Sequence, residues 1–137
     1  MGRFSVELEL SNNRDLVKAE DGELPTAQVR RVRVQGLVDT GASRLVLPKS
    51  VANQLGLKAT GKIGVRYADR RRAVRAVVDN VHVSLLGRSS VFKATVEPRR
   101  KTALIGAIVL EDLDFIVDPL GERLLPRHPK MIIAEAE

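Results

Sequence analysis

The sequence predicts a single, mostly β domain, and three observations predict it. The chain has 137 residues, near the common size of one domain. Hydrophobic residues make up 44% of it but aromatics only 3%, so the core is built from Val, Leu, Ile and Ala, and the abundance of valine favours strands. Polar and apolar residues alternate in several short runs separated by turn-forming clusters, as in strands with one buried face.

Phe4, Val6, Leu8 and Leu10 alternate with polar residues and predict the first strand; Ser11 to Asp15 reads as a loop. A turn-rich stretch from Asp21 to Pro25 precedes Ala27, Val29, Val32, Val34, Leu37 and Val38, a β-rich run interrupted by Gly36 that delivers Asp39 at its end. Leu45-Val46-Leu47 follows, then Pro48, which suits the first turn of a helix that Ser50 to Leu55 continues and Gly56 stops. Ile63 to Arg66 and Ala73 to Val78 are the apolar-rich arms of a hairpin whose tip, Tyr67 to Arg72, is polar and basic. Val81, Val83 and Leu85 alternate again; after a turn at Gly87 to Ser90, Val91 to Val96 is a further strand, ending at the Pro98 to Lys101 loop. Ala103 to Gly106 leads into a second short helix, where Ile108, Val109, Leu110 and Leu113 share one side. Phe115 to Asp118 reads as a strand, and the tail ends with an apolar patch at Met131 to Ile133.

Composition narrows the chemistry. With no cysteine there is no disulfide framework, thiolate nucleophile or Cys-based zinc site. His82 and His128 lack a partner histidine at ligand spacing, and Asp112, Asp114 and Asp118 read as helix-surface and turn positions, so no metal, no cofactor and no serine–histidine triad is assigned. No stretch approaches the roughly 20 apolar residues of a membrane span and the amino end lacks a secretory pattern, so a soluble cytoplasmic protein is expected. The net charge of +6 would suit nucleic acid or an acidic partner. Tyr67 is the only tyrosine, so there is no aromatic interleaving for base stacking, which argues against nucleic acid.

One stretch carries chemistry. In Leu37-Val38-Asp39-Thr40-Gly41-Ala42-Ser43 two apolar strand residues deliver a carboxylate into a tight turn of small residues. Downstream, beyond the hairpin, Leu104-Ile105-Gly106 places two apolar residues and a glycine before a short helix. With these residues, from Gln28 to Pro119, the sequence resembles the retropepsin-like aspartic proteases, the single-domain branch of the pepsin clan, and Leu104 to Pro119 looks most like its small bacterial and archaeal members.

The resemblance implies a closed β-barrel of the acid-protease fold with two short helices, working as a homodimer. Residues 1–123 would form the domain, and 124–137 a C-terminal tail that can join the interface. Asp39 would be catalytic, Thr40 would bond across the dimer axis, and Gly41 would bond the substrate backbone. Ala42, Ser43, the flap tip Tyr67, Ala68, Asp69, Arg70, Arg71 and Arg72, the loop residues Arg99 and Arg100, and Leu104, Ile105 and Gly106 would border a peptide or protein substrate. The activity implied is that of an aspartic endopeptidase in which a pair of aspartates holds one proton, one acting as base on a water and the other as acid. Ala42 stands where two-lobed relatives carry a serine that bonds the aspartate, which predicts an optimum milder than strongly acidic. The basic groups Arg70 to Arg72 and Arg99 to Lys101 would then favour acidic substrates. A non-proteolytic peptide-binding or dimerisation module of the same fold, and a basic nucleic-acid-binding β domain, are the alternatives.

Overall fold

Nine strands and three α-helices follow one another among the described residues, 3–137, of the computed structural model; Met1 and Gly2, the start of the expected domain, lie outside them. The strands are β1 (Phe4–Asn12), β2 (Arg31–Val38), β3 (Leu45–Pro48), β4 (Ala59–Arg66), β5 (Arg72–Leu85), β6 (Arg88–Glu97), β7 (Ala103–Ile105), β8 (Phe115–Asp118) and β9 (Arg123–Pro126). The helices are α1 (Asn13–Glu20), α2 (Lys49–Gln54) and α3 (Ala107–Asp112).

The main sheet runs β1-β2-β7-β3-β6-β5-β4, and a further pairing of β1 with β5 closes its first six strands into a barrel, leaving β4 as a flap strand attached to β5 alone. Alternation works as expected in β1, where Phe4, Leu8 and Leu10 are buried, and in β5, where Val81, Val83 and Leu85 are fully enclosed. Leu45, Leu47, Ile105, Val109 and Leu113 complete the interior. Ala73 to Val78 and Val81 to Leu85, read from sequence as separate runs, are one strand. Its pairing with β6 shifts register between Val78 and Val81, where Asn80 adopts φ 61°. This bulge bends β5 so that its first half pairs with β4 and its second half with β1. β2 runs unbroken through Gly36, because a Cβ there would sit 2.7 Å from Leu8 and 2.8 Å from Ile105; the glycine makes room for packing across the barrel.

One expectation is corrected. Ser11 and Asn12 finish β1, and the following residues form α1, a third helix where a loop was expected. The polar residues that read as loop are a helix start. The Asn12 side chain accepts from the Asp15 backbone N–H at 3.1 Å and donates to the Leu55 carbonyl at 2.8 Å. The helix itself is so polar, with Val17 exposed, that periodicity could not announce it. The expected tail, from Leu124 onward, opens within β9, which pairs antiparallel with β8 and buries Leu124.

Asp15 fastens α1 to the barrel. Its carboxylate accepts from Arg30 Nε at 2.8 Å, the second guanidinium nitrogen at 2.9 Å and the Arg30 backbone N–H at 3.0 Å. The Arg30 side-chain bonds, opposed by burial, lower its pKa to about 2. A depressed carboxylate contributes stability that is present above the unfolded value, near 3.8, and lost as pH falls towards 2. Because Arg30 is half exposed and screened, Asp15→Asn is expected to cost about 1–2 kcal/mol at pH 7. Urea unfolding at pH 7, 4 and 2.5 checks this: the gap between wild type and variant narrows below pH 4.

Candidate active site

The site begins with β7 threading between two strands. Leu104 aligns with Leu37 of β2 in parallel and with Val46 of β3 antiparallel, so three short apolar segments converge on the loop that follows β2. The Asp39 N–H donates to the Ile105 carbonyl at 3.0 Å, continuing the β2–β7 ladder to the carboxylate-bearing residue. On the far side, the N–H groups opening α3 hold the loop carbonyls: Ala107 donates to Ala42 at 2.8 Å and Ile108 to Ser43 at 2.9 Å. Gly106 lies buried at this crossing. A Cβ on it would meet the Arg44 carbonyl at 2.5 Å and the Ala42 carbonyl at 2.8 Å, so only glycine fits beneath the loop.

Within the loop, the Ala42 N–H closes a turn onto the Asp39 carbonyl at 3.1 Å, and the Gly41 N–H donates to Asp39 Oδ1 at 2.9 Å. The Gly41 amide is therefore committed to Asp39. Asp39 Oδ2 faces Arg3, whose Nε is 3.6 Å away and whose side chain is 60% exposed. Thr40 is exposed at the loop tip.

A cleft of about 710 Å³ opens above this loop, floored by Asp39, Gly41, Ala42, Ser43 and Leu104 and roofed by the β4 end of the hairpin from Ile63 to Ala68. Of the residues expected around a substrate, Tyr67, Ala68, Arg99 and Arg100 also line it. Asp69, Arg70, Arg71 and Arg72 do not. The tip folds on itself: Asp69 accepts from the Arg71 backbone at 3.0 Å and from Arg71 Nε at 2.7 Å, and Arg71 stacks over the Tyr67 ring at 4.9 Å. Ile105 and Gly106 are buried and support the floor from below.

The hairpin is tied to the barrel by a half-buried polar cluster that the sequence did not announce. The Tyr67 hydroxyl donates to Glu97 Oε2 at 2.6 Å, and Arg75 Nε bonds Glu97 Oε1 at 2.7 Å and the Tyr67 hydroxyl at 3.1 Å. Burial and then the Glu97 bond hold the Tyr67 hydroxyl above the usual phenol range. Tyr67→Phe is expected to cost about 1–2 kcal/mol and to speed amide exchange at Tyr67 and Arg71 about tenfold, read by hydrogen–deuterium exchange.

Arg3, Arg44, Arg66 and Glu97 also face the cleft and were missed. Adjacency to the motif and to the hairpin tip could have suggested Arg44 and Arg66. Arg3 arrives only through the β1–β2 register, in which Phe4 lies opposite Val38.

Away from the cleft, Asp114 holds a turn position after α3, as expected, but it is buried there and contacts His128. The Asp114 Oδ1 forms an ion pair with Arg127 Nε at 2.7 Å, the carboxylate accepts from the Ile133 N–H at 3.2 Å, and its Oδ2 lies 2.7 Å from His128 Nδ1. The His128 contact comes first among the causes that lower its pKa. Arg88 caps the same corner, donating to the carbonyls of Leu113 at 2.8 Å, Asp114 at 3.0 Å and His128. These bonds fasten the tail to the end of α3. Among the described residues no group of three or more His, Asp or Glu is placed to hold a metal ion, and no helix is long and apolar enough to cross a membrane.

A family model described as "Aspartyl protease" matches residues 25–123. No curated protein matches the chain. Among solved structures, the chain is similar to a foamy viral protease-reverse transcriptase in complex with an RNA/DNA hybrid, with 18% identity and a TM-score of 0.48, covering 57% of this chain and 10% of that one. This chain thus aligns with about a tenth of the length of that polypeptide.

Proposed function

The chain belongs to the aspartyl protease family, and on that premise we propose that it is a retropepsin-like endopeptidase whose active site is completed by a second copy of itself. The observation that carries this reading is the single carboxylate, Asp39, held on a loop locked by the Gly106 crossing and open to a cleft beneath a hairpin. One loop carboxylate per chain, Asp39, is half of a general acid–base pair, since Glu97 is already held by Tyr67 and Arg75. Two Asp39 side chains brought within hydrogen-bonding distance share one proton, because both cannot ionise easily side by side. The ionised member draws a proton from water as the water attacks the peptide carbonyl, and the protonated member donates to the carbonyl oxygen. Their titration then belongs to the pair.

The partner's Asp39 approaches on the open side of the loop, where Thr40 is exposed and available to bond across the two-fold axis. Arg3, exposed and at a long 3.6 Å, is a weak counter-ion that gives way to the second carboxylate. The Gly41 carbonyl and the hairpin strand β4 align an extended substrate between floor and flap.

The test is cleavage of unfolded protein from about pH 4 to 7, combined with subunit mixing. If two copies share one site, an equal mixture of wild type and Asp39→Asn subunits, exchanged to equilibrium, retains about one quarter of the wild-type activity instead of one half. A linear dependence on the wild-type fraction would place a complete site in each chain, and silence of wild type in a sample shown to be dimeric would sink the peptidase reading.

A further inference from the structure

The arginines of this protein divide by position. Away from the cleft most are neutralised locally: Arg30 by Asp15, Arg31 and Arg33 by Glu9, Arg71 by Asp69, Arg75 by Glu97, Arg123 by Asp118 and Arg127 by Asp114. At the cleft only Arg3 is paired, with Asp39 at 3.6 Å. Arg44, Arg66, Arg99 and Arg100 all line it, and none of them forms an ion pair among the described residues. Two carboxylates line the same space, and both are engaged. Asp39 accepts from Gly41 and faces Arg3, and Glu97 is held by Tyr67 and by Arg75, which is outside the cleft lining.

The four cations also sit at different heights. Arg44 follows the floor loop, Arg66 ends the flap strand β4, and Arg99 and Arg100 stand on the loop between β6 and β7. Arg100 is pre-aimed: its Nε donates to the Thr102 carbonyl at 3.0 Å and a terminal nitrogen to the Thr102 hydroxyl at 3.2 Å, which holds the guanidinium while leaving a further nitrogen free. A cleft whose own acids are occupied and four of whose five guanidinium groups are unpaired is set up for carboxylates arriving with the ligand. The basic hairpin tip, which the sequence pointed to, contributes less, because Asp69 already holds Arg71.

We infer that the cleft selects peptide segments bearing aspartate or glutamate within about four residues of the bond that is cut, a reach of about 13 Å in an extended chain. The inference rests on the peptidase reading for the cut, but the recognition itself does not. Single exposed pairs contribute little, so the preference is collective, about tenfold between an acidic peptide and its Asn/Gln isostere, and it shrinks as salt screens it.

Two readouts keep failure of the specificity apart from failure of the peptidase reading. The first is cleavage of a mixed peptide library by wild type and by Arg66→Gln/Arg99→Gln. Acidic enrichment in wild type that fades in the double variant is expected; cleavage without enrichment would overturn the inference while leaving the peptidase intact. The second is fluorescence anisotropy of a labelled acidic peptide and its amide isostere on full-length Asp39→Asn. About tenfold tighter binding of the acidic peptide is expected even if wild type cuts nothing, and equal affinities would overturn the inference. An oligoribonucleotide that displaces the peptide at lower concentration than unlabelled peptide would also overturn it, assigning the cations to nucleic acid.

Discussion

Asp39→Asn is expected to lower peptide cleavage at least about a thousandfold while leaving the fold and its thermal unfolding nearly unchanged. The amide keeps the shape of the carboxylate and can still accept from the Gly41 N–H at Oδ1, so the loop retains its turn. What it loses is the ability to take a proton from water, so in the proposed two-chain site no base remains when both copies carry the change. The other supports of the loop are backbone bonds that the substitution does not touch: Asp39 to Ile105, Ala107 to Ala42 and Ile108 to Ser43. Circular dichroism and a melting curve beside the cleavage assay separate lost chemistry from lost structure. Full activity in the variant would remove Asp39 from the mechanism.

Gly106→Ala is expected to act in the opposite way, through structure. The added methyl would sit 2.5 Å from the Arg44 carbonyl and 2.8 Å from both the Ala42 carbonyl and the Arg44 backbone nitrogen. All three are main-chain atoms of the segment that carries the site, so no rotamer change relieves the contact. The loop must lift away from β7 and α3, breaking the bonds that fix Asp39, at a cost of about 3 kcal/mol or more together with loss of activity. Gly61→Ala is the control, because a Cβ there meets nothing within 4 Å; it should change stability by less than about 0.5 kcal/mol. Equal urea midpoints for the two variants would show that the crossing tolerates a side chain.

Much of this was legible in the chain itself. Alternation located β1 and the two halves of β5, Pro48 and Gly56 bracketed α2, and Asp39 to Ser43 with Leu104 to Gly106 marked the loop and the strand beneath it. The family match over residues 25–123 agrees with the resemblance that those residues carried. These features are local: burial on one face repeats every second residue in a strand, and a tight turn needs particular residues at particular places.

The tertiary structure decided what local pattern does not encode. The pairing of β1 with β5 closes the barrel, and the register of β1 on β2 brings Arg3 to Asp39 across more than thirty residues of sequence. Polar residues read as loop or surface, Asp15 and Asp114, are buried because Arg30, Arg127 and the His128 ring reach them from distant segments. Which arginines face the cleft was settled in the same way. The tip arginines are conspicuous in sequence, yet Arg44 and Arg66 line the cleft and the tip folds on Asp69. A charge run records composition, whereas the direction of each charge depends on which strands lie beside it, and that is fixed only when the barrel closes.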